Sequence, residues 1–65
     1  MLNYRYIPKT ELIPGMILLY GVVPDLKLDG IVLRVDLDQK KFWYYQYNKG
    51  VYEIFMWAEP SIILC

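Results

Sequence analysis

A chain of 65 residues that is 57% hydrophobic and 17% aromatic has the length of one small domain and more apolar residues than the usual share of about 45–50%. One cysteine and no histidine exclude an internal disulfide and the common zinc sites, so we expect neither a metal nor another cofactor. Seven basic and seven acidic residues give a net charge of zero, which disfavours, without excluding, a protein that binds nucleic-acid phosphates.

Turn-forming residues recur about every 8–12 positions along the chain, and short runs rich in β-branched and aromatic residues lie between them. This spacing predicts an all-β fold, either a small barrel or a sandwich, in a single domain over residues 1–65. The five main predicted strands are residues 16–20, 30–36, 41–47, 51–57 and 62–64. Residues 1–11 form an N-terminal arm with a weaker candidate for an extra edge strand at residues 3–7, which ends before Pro8.

The second predicted strand shows the clearest alternation of apolar and polar side chains. Ile31, Leu33 and Val35 occupy alternate positions, so a regular strand would place them on one face. We expect that face to be buried and the opposite face to be mostly exposed to solvent.

The third and fourth predicted strands form the hairpin that the turn residues support best. Residues 48–50, Asn-Lys-Gly, suit a three-residue loop that is closed by a glycine with positive φ. The predicted cross-strand pairs are Tyr47–Val51, Tyr45–Glu53 and Trp43–Phe55. The opposite face would carry Phe42, Tyr44 and Gln46 beside Tyr52, Ile54 and Met56. A register shift of one residue would exchange the two faces.

The connections between the predicted strands follow a recognisable order. A long loop at residues 21–29 comes first, an acidic turn at residues 36–40 second and the glycine hairpin third, and a single helical turn at residues 58–61 precedes the last strand. This order resembles that of SH3-like barrels, and the resemblance covers residues 12–64. It implies a small five-stranded SH3-like barrel with a long first loop and one helical turn before the last strand.

The resemblance does not extend to the SH3 domains that bind proline-rich peptides. Those domains open with an Ala-Leu-Tyr-Asp-Tyr-like motif, whereas the first predicted strand here reads Met-Ile-Leu-Leu-Tyr. The long loop contains only Asp25 and Asp29 as acidic residues, so we do not expect proline-peptide binding. Its apolar residues, among them Val22 and Leu26, predict that the loop covers an open end of the barrel or, alternatively, contacts a partner.

The chain contains few residues that could perform catalysis, and we predict no catalytic residue. No histidine is present to transfer protons near neutral pH, and Ser61 and Thr10 lack a base of the usual kind. Asp36 and Asp38 are two positions apart, a spacing more typical of a polar turn than of an acid–base pair. The four glycines lie singly at turns and form no phosphate-binding loop. We therefore expect a protein that is not an enzyme.

The aromatic hairpin is the most informative feature for function. We predict that five aromatic residues form a partner-binding surface: Trp43, Tyr45, Tyr47, Phe55 and Trp57. These rings exceed what a fold of 65 residues can bury. Exposed apolar patches of several hundred Å² usually mark interfaces, and Tyr and Trp are enriched at interface hot spots. The alternative is that cross-strand aromatic pairs only stabilise the sheet.

The first functional hypothesis is a non-catalytic protein–protein interaction module or small accessory subunit that binds another protein or itself, with a homo-oligomer expected. Residues 62–65, an apolar last strand, would add to its docking surface. A chain this compact is consistent with a virus- or phage-encoded accessory or structural protein. The second hypothesis is a small barrel that stacks the bases of single-stranded nucleic acid on the same rings, with Lys40, Lys41 and Lys49 near the phosphates.

No stretch approaches the roughly 20 apolar residues of a membrane helix, because Gly21 interrupts the longest apolar run at residues 16–23. Residues 1–6 lack the apolar core of a signal peptide. Cys65 is the last residue and therefore is not the fourth-from-last cysteine of a prenylation motif. We expect a cytoplasmic protein in a reducing environment, without membrane or metal partners, and with Cys65 as a free thiol.

Overall fold

The computed structural model describes residues 3–65. These residues form one antiparallel β-sheet and a single 3-10 turn. The strands are β1 (Tyr4–Ile7), β2 (Ile17–Tyr20), β3 (Lys27–Asp36), β4 (Lys41–Gln46), β5 (Gly50–Phe55) and β6 (Ser61–Leu64). The 3-10 turn spans Lys9–Glu11, and no helix within residues 3–65 has the length and hydropathy needed to cross a membrane. The all-β prediction is confirmed.

The sheet is open, and its strands lie in the order β1-β6-β2-β3-β4-β5. This order corrects the prediction of a closed five-stranded barrel, because the N-terminal arm adds a sixth strand. β1 pairs with β6 and occupies the side of β6 that does not face β2. In a closed barrel made of strands β2 to β6, β5 would pair with the side of β6 that β1 occupies here. Among the described residues the sheet therefore keeps two edges, β1 and β5.

The helical turn lies at a different place from the predicted one. The sequence predicts it at residues 58–61, whereas the structure has a bend there and its 3-10 turn at Lys9–Glu11. A residue that precedes a proline is disfavoured in the α-helical region of φ and ψ. Because Glu59 precedes Pro60, this preference opposes a helical turn there. In the N-terminal segment the Glu11 amide donates a hydrogen bond to the Pro8 carbonyl at 3.0 Å and closes the 3-10 turn.

The connection between β2 and β3 is shorter than predicted. Because β3 begins at Lys27, the loop comprises residues 21–26 instead of residues 21–29. Val22 is 80% exposed at the surface of this loop. Val23 is 44% exposed as well, so these two valines do not cover an end of the sheet as expected, whereas Leu26 is half-buried.

One face of the sheet forms the hydrophobic core. The buried apolar residues that pack together there are Ile7, Leu12, Leu18, Val32, Phe42 and Ile63. We call this side the core face and the opposite side the outer face. Two bulges on β3, at Asp29 against β2 and at Leu33 against β4, bend the sheet around these side chains. Gly30 lies between the bulges, where a Cβ atom would be 2.0 Å from the Tyr45 carbonyl oxygen.

The two ends of the described chain meet at the β1 edge. Tyr4 pairs with Leu64 across β1 and β6. The Cys65 amide donates a hydrogen bond to the Asn3 carbonyl at 3.0 Å, and the Cys65 thiol is exposed and forms no disulfide within residues 3–65. All the other strands separate this edge from the β5 edge.

Candidate interaction surface

β4 and β5 form the predicted hairpin, but their register differs from the prediction by two residues. The cross-strand pairs are Tyr45–Val51, Trp43–Glu53 and Lys41–Phe55. The last pair before the turn is Gln46–Gly50, and the Lys49 amide donates a hydrogen bond to the Gln46 carbonyl at 3.0 Å. Asn48 and Gly50 both have positive φ, 64° and 112°. A shift of two residues leaves each side chain on the face predicted for it.

Alternate residues of β2 to β5 form three rows on the outer face. The first row crosses four strands and is apolar throughout: Ile17, Ile31, Tyr45 and Val51. The second row is Arg34, Trp43 and Glu53, and the third is Asp36, Lys41 and Phe55. Tyr45, Val51 and Phe55 are 37%, 60% and 65% exposed. The outer face therefore presents an apolar row to solvent beside two rows of mixed charge.

Cationic side chains lie over the aromatic rings of the second and third rows. The Arg34 guanidinium is 4.6 Å from the centroid of the Trp43 ring, and Lys41 Nζ is 5.0 Å from that of Phe55. Lys41 Nζ also lies 2.7 Å from Glu53 Oε1, and this hydrogen bond lowers the pKa of the Glu53 carboxyl. Because solvent reaches this ion pair, its contribution to stability is small. Its effect on the surface is to balance the charge beside the rings.

Four of the five predicted partner-binding residues lie together on this face. Trp43, Tyr45 and Phe55 belong to the three rows. Tyr47 continues the outer face beyond β4, where its ring meets that of Tyr45 edge-on at 6.0 Å. The Tyr47 amide donates a hydrogen bond to the Asp29 carbonyl at 3.1 Å. One half-buried ring and three exposed rings thus lie on the same face of the hairpin.

Trp57 lies apart from the other four rings. It follows β5 and lines a cavity on the core face, where Lys9 Nζ is 4.6 Å from the centroid of its ring. Lys9 also donates a hydrogen bond to the Glu59 carbonyl, 50 positions later in the chain. Sequence reasoning missed Lys9, because a lysine in an N-terminal arm carries no local pattern that predicts such a contact.

The three lysines of the nucleic-acid hypothesis do not form one basic cluster. Lys40 and Lys49 lie in turns at opposite ends of β4. The six residues of this strand span about 20 Å at roughly 3.3 Å each. Lys41 contacts Glu53 and Phe55 on the outer face. These lysines therefore offer no continuous track for a phosphate backbone.

A cavity of about 280 Å³ opens on the core face and is bordered by the segment that leads from β5 to β6. Most of its lining is apolar and includes Leu18, Phe42, Tyr44, Ile54 and Trp57. Two charged side chains, Lys9 and Asp29, also line it. The cavity thus combines an apolar wall with one cation and one anion.

The pKa values of two cavity residues depart from their ordinary values. Burial lowers the pKa of the Lys9 ammonium from 10.5, and the charge of Glu59 partly opposes this effect. Burial raises the pKa of the Tyr44 phenol from 10.0, and the charge of Asp29 adds to the rise. Asp29 Oδ1 accepts a hydrogen bond from Gln46 Nε2 at 3.0 Å. The apolar surroundings therefore make the charged forms of both Lys9 and Tyr44 more costly than they are in water.

Comparisons with protein-family models, with curated proteins and with solved structures found no match to this chain. Within residues 3–65, no three Cys, Asp or Glu side chains lie close enough together to hold a metal ion.

Proposed function

We propose that this protein is a non-catalytic interaction module that docks through its outer face and through the edge strand β5. The observation that supports it best is one exposed patch in which Tyr45, Tyr47, Val51 and Phe55 are 37% to 65% exposed on the same side of the hairpin. Monomeric proteins rarely leave large apolar patches in contact with water. Tyrosine is also enriched among the residues that dominate the free energy of protein association.

Strand β5 lacks most of the features that prevent an edge from pairing with another chain. Natural edge strands are very short, or contain lysine, proline or a bulge. β5 has six residues with neither lysine nor proline, and both bulges described above lie on β3. Its one charged residue, Glu53, is matched by Lys41 at 2.7 Å. At the opposite edge, β1 carries Arg5 and ends before Pro8.

The partner that fits this edge is a second copy of the chain, paired antiparallel through β5 of each copy. An antiparallel pair of identical strands is self-complementary about a two-fold axis, the symmetry of most homodimers. An axis at Tyr52 places Val51 of each copy beside Glu53 of the other. An axis at Glu53 would put two carboxylates opposite each other, which destabilises a sheet. The pairing centred on Tyr52 is therefore favoured.

We further propose that β2 to β6 are an opened variant of the SH3-like barrel. The support is the order of connections, in which a loop, an acidic turn and a glycine hairpin precede the last strand. The outer face and the β5 edge do not depend on this relationship, because both are described by strand pairing alone.

Sedimentation of the wild type and of Val51→Glu tests the docking proposal. We expect a concentration-dependent dimer for the wild type. The variant should dimerise at least tenfold more weakly, a loss of about 1.4 kcal/mol, because the new carboxylate of each copy would lie beside Glu53 of the other. Val22→Glu is the matched control, since Val22 is 80% exposed in a loop outside the sheet. The control should dimerise like the wild type.

Three outcomes would contradict dimerisation through β5. A wild type that stays monomeric at millimolar concentration would show that β5 does not pair with itself. A monomer that binds single-stranded nucleic acid with an affinity that falls steeply with salt would favour the second hypothesis. Equal weakening by Val22→Glu and Val51→Glu would assign the effect to net charge instead of to the edge.

A further inference from the structure

Lys9 is a buried cation without a carboxylate partner. It is 7% exposed, although lysine is almost never buried to this extent unless it is paired. All seven acidic residues lie within residues 3–65, where the one ion pair within 4.0 Å joins Lys41 to Glu53. The Glu59 charge acts on Lys9 from a longer distance. The anions of the protein therefore leave the buried charge of Lys9 without direct compensation.

The Lys9 ammonium has N–H donors left for a hydrogen bond with a molecule in the cavity. An ammonium has three N–H donors. One donates to the Glu59 carbonyl, and the Trp57 ring lies 4.6 Å from Nζ. Lys9 and Trp57 both line the cavity, so the remaining capacity is within reach of a molecule inside it. A carboxylate is the strongest acceptor for such a donor, because its negative charge adds Coulomb attraction to the hydrogen bond with the ammonium.

The cavity is small and mostly apolar. Its volume of about 280 Å³ is just below the range of roughly 300–1,000 Å³ that is typical of small-molecule sites. It has room for about nine groups the size of a water molecule, at ~30 Å³ each. Phe42, Ile54 and Trp57 supply apolar surface along its wall. Such a space fits a short hydrocarbon chain or one aromatic ring.

We propose that this cavity binds a small apolar monocarboxylate, with the carboxylate on Lys9 and the hydrocarbon body against Phe42, Ile54 and Trp57. The ligand supplies the counter-ion that Lys9 lacks, and the cavity wall removes its apolar body from water. The site is separate from the docking surface, because the lining of the cavity includes none of Tyr45, Tyr47, Val51 and Phe55.

Asp29 restricts the ligand to a single negative charge. Its carboxylate lines the same cavity as Lys9 and already accepts a hydrogen bond from Gln46. A second carboxylate on the ligand would approach Asp29 in apolar surroundings, where like charges repel more strongly than in water. We therefore expect a monocarboxylate to bind more tightly than a dicarboxylate of the same length.

Titration with octanoate, octan-1-ol and octanedioate tests the proposal, because these probes share a chain length and differ in charge. The readout is the fluorescence of Trp57 in a Trp43→Phe background, which removes the other of the two tryptophans. Trp43 lies on the outer face, so this substitution leaves the cavity unchanged. We expect saturable binding of octanoate and at least tenfold weaker binding of the other two probes.

Lys9→Met should abolish the preference for octanoate over octan-1-ol, whereas Lys40→Met, at an exposed turn position, should preserve it. If Lys9→Met does not fold, pH provides the test with the wild-type cavity. Octanoate binding should then weaken as the pH rises through the pKa of Lys9, and octan-1-ol binding should not. Equal affinities for octanoate and octan-1-ol, or no saturable change in Trp57 fluorescence, would overturn the proposal. Neither result depends on whether the protein dimerises.

Discussion

At the scale of single residues, Tyr44 shows how the core face controls protonation. Its ring centroid lies 6.0 Å from that of Phe42 and 6.2 Å from that of Tyr52. Burial is the main cause of its raised pKa, and the charge of Asp29 adds to it. The unfolded phenol has a pKa near 10.0. The stability contributed by the neutral form is therefore fully present below that pH and is lost as the pH rises through the folded pKa.

We predict that Asp29→Asn lowers the pKa of Tyr44 toward 10.0 without reaching it, because burial remains the larger cause. Asparagine keeps an Oδ1 acceptor for Gln46, so the hydrogen bond survives while the charge is removed. Tyrosinate absorbance, compared with that of Tyr44→Phe to isolate this ring, measures the change. Asp38→Asn, in the exposed turn after β3, is the control. A Tyr44 titration that Asp29→Asn leaves unaltered would show that burial acts alone.

At the scale of elements, β3 depends on a glycine where it approaches β4. A Cβ atom at Gly30 would lie 2.0 Å from the Tyr45 carbonyl oxygen, so the two backbones would have to separate. We predict that Gly30→Ala lowers the free energy of unfolding by about 4 kcal/mol or more, as expected when a substitution forces backbone strain and overpacking together. Urea denaturation measures the loss.

Gly50→Ala is the control for backbone conformation without a clash. Gly50 has a positive φ of 112°, but no atom lies within 4 Å of the added methyl group. We expect a loss of about 1–2 kcal/mol from the left-handed conformation alone. Equal losses at Gly30 and Gly50 would mean that β3 and β4 can accommodate the methyl group.

In β3 the alternation of apolar and polar residues fails to predict which side chains are buried. The sequence pattern groups Leu33 with Ile31 and Val35 on a buried face, whereas Leu33 is 46% exposed and Val32 is 1% exposed. The bulge at Leu33 adds one residue against β4, which places Val35 on the core face and leaves Ile31 on the outer face. A bulge arises from pairing with the neighbouring strand, so a pattern of period two does not reveal it. The faces of the β4–β5 hairpin follow from local alternation, and the sequence predicted them despite the register error.

At the scale of the whole molecule, the N-terminal arm explains why the sheet stays open. The sequence marks residues 3–7 as a strand candidate, but the choice of its neighbour depends on contacts far along the chain. β1 joins β6 and contributes Ile7, which is 5% exposed, to the core. The contact of Lys9 with Glu59 spans 50 positions and accompanies the packing of Lys9 on Trp57. Local alternation therefore predicted which rings share the outer face of the hairpin. The position of Trp57 beside Lys9 depends on contacts between distant parts of the chain, so local patterns did not predict it.

We predict that removal of residues 1–7 makes the protein associate through β6. The deletion exposes the β6 edge, whose apolar residues include Ile62 and Leu64, and exposed apolar edges pair readily. Light scattering should report species larger than those of the full chain at the same concentration. Ile7→Ala in the full chain is the control. It removes a core side chain, at a loss of about 2–5 kcal/mol, but keeps β1 in place.

A deletion protein that stays folded and monomeric would contradict this prediction. It would indicate that β6, once released from β1, turns to β5 and closes the barrel that the sequence predicts. Association of Ile7→Ala to the same extent as the deletion would instead trace the effect to lost core packing and not to the bare edge.

Because the Cys65 amide bonds to the Asn3 carbonyl, the two ends of the described chain emerge side by side at the β1 edge. Neighbouring strands are about 4.8 Å apart. A carrier protein that received this chain inside one of its surface loops would need only a narrow gap between the two junctions. The graft would be attached at the β1 edge, which leaves the other edge of the sheet, β5, unattached to the carrier.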